Sequence, residues 1–145
     1  SIICEYDEQA SYKIKGNHNR LKQMLINLLK NAIEAVESNG HILIQLVYQN
    51  ETTLRLIVED RGKGMSPEQK EQAFHSFYTT KPAGTGLGLL LVQAVVAEHN
   101  GELILESTEG VGTRFIIDFV LNLYDFSEIM TTNPVYLTGK QQNYI

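Results

Sequence analysis

The chain has one cysteine, Cys4, among its 145 residues. No internal disulfide is possible, and Cys4 is expected to be a buried, structural thiol. No apolar run approaches the length of a bilayer span and no secretory leader is visible, which argues against direct membrane contact. Lysine and arginine form no dense cluster, and a formal net charge of −5 argues against a nucleic-acid surface. The 43% apolar and 20% charged content is that of an ordinary globular protein. The length suits one domain with a hydrophobic core. The abrupt start at Ser1-Ile2-Ile3, close to a strand pattern, reads as a fragment of something longer.

Against that background one stretch stands out, Asp60-Arg61-Gly62-Lys63-Gly64-Met65. The run before it, Leu54-Arg55-Leu56-Ile57-Val58-Glu59, alternates branched residues and reads as a strand. A carboxylate at the end of a buried strand loses its hydration unless a donor meets it. Gly62 and Gly64 allow a sharp turn or a close backbone approach to a ligand. Taken alone, an ordinary Asp-x-Gly turn explains the stretch equally well.

Residues 2–6 and 12–15 read as two short strands joined by a polar turn. A helix is expected over residues 18–38, with Asn17 as N-cap and Gly40 as C-cap. At about 100° per residue, Leu21, Leu25, Leu28, Leu29, Ala32, Ala35 and Val36 form its apolar face. Opposite runs a polar stripe of Arg20, Gln23, Asn27, Lys30, Asn31, Glu34 and Ser38. Most such stripes are simply solvated. Two mid-helix asparagines are a poor choice for helix formation, however, and their amide oxygens suit a hard cation such as Mg²⁺ that also takes phosphate oxygens. Residues 41–49 alternate as a strand, and residues 50–53 turn into the strand ending at Asp60. His18 and His41 read as solvent-facing and structural, and His99 as a last-turn residue favourable to the helix dipole.

After Met65, Ser66-Pro67-Glu68-Gln69 is a helix start. Residues 66–84 then follow no simple period and read as a long, partly ordered loop, a candidate lid. Gly84-Thr85-Gly86-Leu87-Gly88-Leu89 opens the next helix, with Leu87, Leu90, Leu91, Ala94, Val95 and Glu98 on its pattern. Its unsatisfied N–H groups are suited to a phosphate, though a tight turn explains the glycines equally well. Residues 102–107 and 112–120 form a terminal hairpin. Residues 122–145 show no periodicity and are set apart as a tail, leaving residues 1–121 as the domain.

Together these stretches resemble the catalytic, ATP-binding domain of bacterial sensor histidine kinases, within the GHKL ATPase superfamily. Gln23-Met24-Leu25-Ile26-Asn27-Leu28-Leu29-Lys30-Asn31-Ala32 matches the N box and Asp60 to Met65 the first glycine box. Phe74-His75-Ser76-Phe77 matches the F box, Gly84 to Leu89 the second glycine box, and Gly112-Thr113 completes the order. The lid and Asn31-Ala32-Ile33-Glu34-Ala35 are most similar to the sporulation and nitrogen-regulation kinases. The resemblance implies an α/β, two-layer Bergerat-type sandwich: a mixed, mostly antiparallel sheet, helices on one face and a mobile ATP lid. It implies that Asp60 accepts the adenine amino hydrogen, with Gly62, Gly64, Met65, Phe77 and Thr113 lining the pocket. Asn31 would coordinate Mg²⁺, Asn27 would stand nearby, and Lys81 with Gly84, Thr85, Gly86, Leu87 and Gly88 would hold the phosphates.

Two departures refine what the resemblance implies. ATP-hydrolysing relatives carry a Glu one turn before the magnesium Asn; here it is Asn27, an amide without useful basicity, which favours a kinase over an ATPase. Glu34 stands where many histidine kinases have a phosphate-contacting Lys, with Lys30 a possible substitute cation. None of His18, His41, His75 and His99 is followed by an acidic residue, as a phosphoacceptor would be. The acceptor is therefore expected on a helical dimerisation domain outside this chain, N-terminal to Ser1, and a response regulator downstream of it. An isolated monomer, facing the cytoplasm where ATP is, completes the expectation. The alternatives are a serine kinase of the anti-sigma type and a nucleotide-binding docking module without transfer.

Overall fold

The computed structural model describes residues 1–75 and 86–121, together with the backbone of residues 135–138. Five strands form one sheet in the order β1-β3-β4-β6-β5. They are β1 (Ile2–Tyr6), β3 (Ile42–Asn50), β4 (Thr53–Asp60), β5 (Gly101–Thr108) and β6 (Gly112–Val120). Only the β1–β3 pair is parallel, so the sheet is mixed and mostly antiparallel, as expected. Strand β2 (Ser11–Ile14) stays outside this sheet and pairs antiparallel with β7 (Val135–Thr138). No element was expected at residues 135–138, because a four-residue strand paired along its backbone needs no apolar alternation.

Helices α1 (His18–Ala35) and α3 (Gly88–Glu98) pack against each other and on the inner face of the sheet. The core they close contains Leu21, Met24, Leu28 and Ala32 from α1, Val92, Val95 and Val96 from α3, and Leu54, Val58, Phe115, Ile117 and Phe119 from the sheet. Full burial of each large side chain stabilises by roughly 1.5–3 kcal/mol. The expected α1 face is rotated slightly: Met24 lies at its centre, and Leu25, Leu29 and Val36 at its margins. The expected α3 face is corrected more strongly. Val92, Val95 and Val96 are buried, whereas Ala94 and Glu98 are exposed and Leu87 is 43% exposed. This helix is apolar almost all round, so its periodicity carries no phase.

The caps explain where the helices stop. Asn17 Oδ1 accepts from Arg20 N–H at 3.1 Å, the N-cap bond expected for α1. At the other end α1 stops at Ala35, short of Ser38, and Gly40 is not its cap. Val36 turns to extended backbone, and the Lys63 N–H donates to Ala35 O at 3.0 Å, taking one of the carbonyls a helix end leaves open. Residues 67–72, expected within a loop, form α2 (Pro67–Gln72). Its start is a capping box in which the Ser66 and Gln69 side chains each accept the other's backbone N–H. Cys4 lies exposed on the edge strand β1 rather than buried.

His99 does more than face a helix dipole. Asn17 N–H donates to its Nε2 at 2.9 Å, and its Nδ1 is 2.7 Å from Val95 O. Nε2 must be unprotonated to accept, so the ring hydrogen sits on Nδ1 and is donated to Val95 O. The imidazole thus ties the entry of α1 to the exit of α3, with Phe119 edge-on at 6.5 Å. His99→Ala leaves a donor and an acceptor without this partner, and should lower stability by about 1–3 kcal/mol. Denaturant unfolding with an unchanged midpoint would contradict this role.

Candidate functional site

The inner face of the sheet is apolar row by row until its last row. There the register aligns Asp60 of β4 with Thr113 of β6, and Thr113 with Ser107 of β5. Asp60 is 5% exposed and Thr113 6% exposed. Alternation explains their direction: Leu54, Leu56 and Val58 precede Asp60 on the inward side of β4, and Phe115, Ile117 and Phe119 follow Thr113 on β6. The carboxylate thus points into the same layer as the core, at its open end.

Two main-chain donors meet it. Gly62 N–H reaches Asp60 Oδ1 at 2.9 Å, and the Thr113 backbone N–H also donates to the carboxylate. Burial still dominates, raising the Asp60 pKa above the ordinary aspartate value; the two backbone bonds oppose the shift and the Glu59 charge adds to it. A donor-bearing ligand laid against this row would supply what water no longer does.

The glycine loop that follows is pinned between α1 and the β5–β6 hairpin. Lys63 donates through its N–H to Ala35 O, and its carbonyl accepts from Gly110 N–H at 2.7 Å. A Cβ on Gly62 would stand 2.2 Å from Ala35 O, and one on Gly64 2.0 Å from Thr108 O. Gly64 also has φ +64°, a conformation side chains rarely adopt. These glycines are therefore required by close backbone packing on two sides, not only by a turn. Met65 follows, half-buried, at the end of the loop.

Helix α1 spans the rest of the site. A Cβ on Gly88, at the start of α3, would lie 3.8 Å from Asn27 Oδ1, so the N box faces the second glycine box. Ala35, two turns later, touches the glycine loop. Asn31 lies midway and half-buried, about 6 Å along the axis from each at 1.5 Å per residue. Glu34 and Lys30 are exposed. Gly86 and Leu87 lead into α3, whereas Phe77, Lys81, Gly84 and Thr85 lie outside the described residues. Phe74 of the F box packs half-buried against the core. A separate cavity of about 1180 Å³, bordered by Lys13, Asn17, Tyr48, His99 and Phe119, opens at the opposite end of the sheet and holds none of the motif residues.

Ser107 is the residue that the motif order missed. The available signal was period two: Leu103 and Leu105 face inward on β5, so the next inward position is Ser107.

Comparison with known proteins shows which family and fold this chain shares. Residues 16–123 match the family model described as histidine kinase-, DNA gyrase B-, and HSP90-like ATPase. Sporulation kinase E of Bacillus subtilis (strain 168) is 41% identical over 99 residues, covering 68% of this chain and 13% of that protein. Sensor histidine kinase ZraS of Salmonella typhi is 39% identical over 105 residues, covering 72% of this chain and 23% of that protein. This chain thus spans under a quarter of the length of these two relatives. Among solved structures, the nucleotide-free catalytic domain of histidine kinase ThkA is 35% identical, with a TM-score of 0.68 over 82% of this chain and 76% of that one. The five-stranded mixed sheet and its helices share that fold.

The Asp60 environment has a consequence for stability that can be read from its sign. Its pKa is raised in the fold, so between the ordinary and the raised value the folded protein holds a proton that the unfolded chain has released. Stability therefore falls as pH rises through that window. Asp60→Asn has no such proton to lose, so the variant should gain on the wild type from acid to neutral pH. Paired denaturant titrations that give a pH-independent difference would contradict the assignment.

Proposed function

This chain belongs to the histidine kinase-, DNA gyrase B-, and HSP90-like ATPase family, and from that premise we propose that it is the ATP-binding catalytic domain of a sensor histidine kinase. It passes the γ-phosphoryl group of ATP to a histidine on a separate helical dimerisation domain. The observation that carries this reading is the Asp60–Thr113 row: a buried carboxylate at the open end of an apolar layer, short of donors. An adenine slides against such a layer, and its amino group donates to Asp60. A base presenting an oxygen there sets acceptor against acceptor, which selects against GTP.

The phosphate end belongs to α1 and the start of α3. Among the described residues no three His, Cys, Asp or Glu side chains converge into a cation cage. The donor set fits Mg²⁺ held as it commonly is at nucleotides, by one protein oxygen from Asn31 together with phosphate oxygens and water. Bound there, Mg²⁺ would neutralise charge on the β- and γ-phosphates. Asn27, one turn earlier, faces Gly88 and cannot act as a base on water, so transfer is favoured over hydrolysis. Gly86, Leu87 and Gly88 at the start of α3 are suited to the phosphates, and the motif order assigns Phe77, Lys81, Gly84 and Thr85, which lie outside the described residues, to the same nucleotide.

The working unit is residues 1–121, monomeric in isolation, with β7 (Val135–Thr138) of the segment 122–145 paired to it along β2. None of His18, His41, His75 or His99 has the acidic neighbour of a phosphoacceptor, which supports an acceptor on another domain of the parent kinase, with a response regulator downstream as part of the same proposal. No helix among the described residues is long and apolar enough to cross a membrane. The domain works in the cytoplasm, whether or not its parent is anchored.

Incubation with ATP, Mg²⁺ and a dimeric helical hairpin bearing a histidine followed by an acidic residue should yield phosphohistidine on the hairpin. Asp60→Asn should raise the ATP concentration needed by at least about tenfold, the worth of one charge-assisted hydrogen bond. Asn31→Ala should remove most of the Mg²⁺ dependence. Transfer that survives both substitutions unchanged would sink the reading.

A further inference from the structure

The polar row has a third member whose hydrogen bonding constrains the other two. Ser107 Oγ lies 3.0 Å from the Gly112 carbonyl oxygen and 2.8 Å from Thr113 Oγ1. A hydroxyl carries one hydrogen, and a carbonyl oxygen only accepts. Ser107 therefore spends its hydrogen on Gly112, and the Thr113 hydroxyl donates to Ser107. Only lone pairs remain on Thr113 Oγ1 for anything bound beside it. The neighbouring Asp60 also presents only acceptors when ionised. The row is thus an edge of two acceptors, and the direction of the second is set by Ser107.

We propose that Ser107 is a positioning residue for the nucleobase: by taking the Thr113 hydrogen, it holds the Asp60–Thr113 edge in a form that favours a base bearing an exocyclic amine. The inference rests on reading this row as the adenine pocket. Without the Ser107 hydroxyl, Thr113 is free to turn its hydrogen toward the ligand. The edge then tolerates a base with a carbonyl oxygen in place of the amine. A purely architectural role is the competing explanation, since the same hydroxyl bridges the ends of the β5–β6 hairpin through Gly112.

Selectivity separates the two. Calorimetric affinities would be measured for ADP and for the inosine diphosphate, which carries an oxygen where ADP carries its amine. The proteins are wild type, Ser107→Ala, Ser107→Thr and Asp60→Asn. Ser107→Ala should lower the ADP-to-IDP affinity ratio by roughly three- to tenfold, the worth of one neutral hydrogen bond. Ser107→Thr, which keeps a hydroxyl on a strand-compatible side chain, should restore the ratio. An architectural role weakens both ligands alike and leaves the ratio unmoved. An unmoved ratio in Ser107→Ala, or a fall that Ser107→Thr does not reverse, overturns the inference. The adenine reading fails separately, if wild type shows no preference for ADP or Asp60→Asn does not diminish it.

Discussion

A carboxylate held almost out of water is the constraint on which the site depends. Asp60 shares a layer with Leu54 and Val58, and its ionised form is costly there unless donors compensate. Among the described residues the chain supplies two main-chain donors, Gly62 and Thr113, and the Asp60 pKa stays raised. The Gly62 loop is anchored beside the carboxylate, since Lys63 is held on one side by Ala35 O and on the other by Gly110 N–H. The remaining demand for donors faces the open end of the core.

The same contacts couple the site to the fold. Helix α1 ends where its Ala35 carbonyl meets the glycine loop, so helix length and loop position set one another. Seen from the sheet, the pocket edge is a continuation of ordinary strand alternation, with Asp60, Thr113 and Ser107 replacing the leucines and phenylalanines of the rows before it. Beyond α1, the start of α3 is brought to Asn27, while the exit of α3 is tied back through His99 to the entry of α1. The Glu98–His99 end of the helix pair is thus fixed by polar contacts to Asn17 and Arg20, and its middle by valines and leucines. The outer face of the sheet takes no part: Arg55 and Asp118 pair there at 2.7 Å beside a row of isoleucines.

Much of this was legible in the residues themselves. Strand β4, the terminal hairpin, the body of α1 and the Asn17 cap are local consequences of alternation, helical period and a side chain that accepts its own helix's N–H. The first glycine box was legible because close packing at Gly62 and Gly64 demands glycine whatever surrounds it. The end of α1 was not, since the acceptor Ala35 and the donor Lys63 are far apart in the chain. Nor was the role of His99, whose partner Asn17 is 82 positions away. The orientation of α3 was hidden by its excess of apolar residues. Ser107 lay in between: its inward direction follows from period two, but its partners are visible only once the strands are in register.

The central claim is that this edge recognises an adenine through a buried acceptor, with Mg²⁺ assisting the phosphates. Calorimetric titration with a non-hydrolysable ATP analogue, with and without Mg²⁺ and against the matching GTP analogue, tests it most directly. The account predicts binding that strongly prefers adenine and is strengthened by Mg²⁺. Equal binding of the two bases, or none by a folded protein, would contradict it.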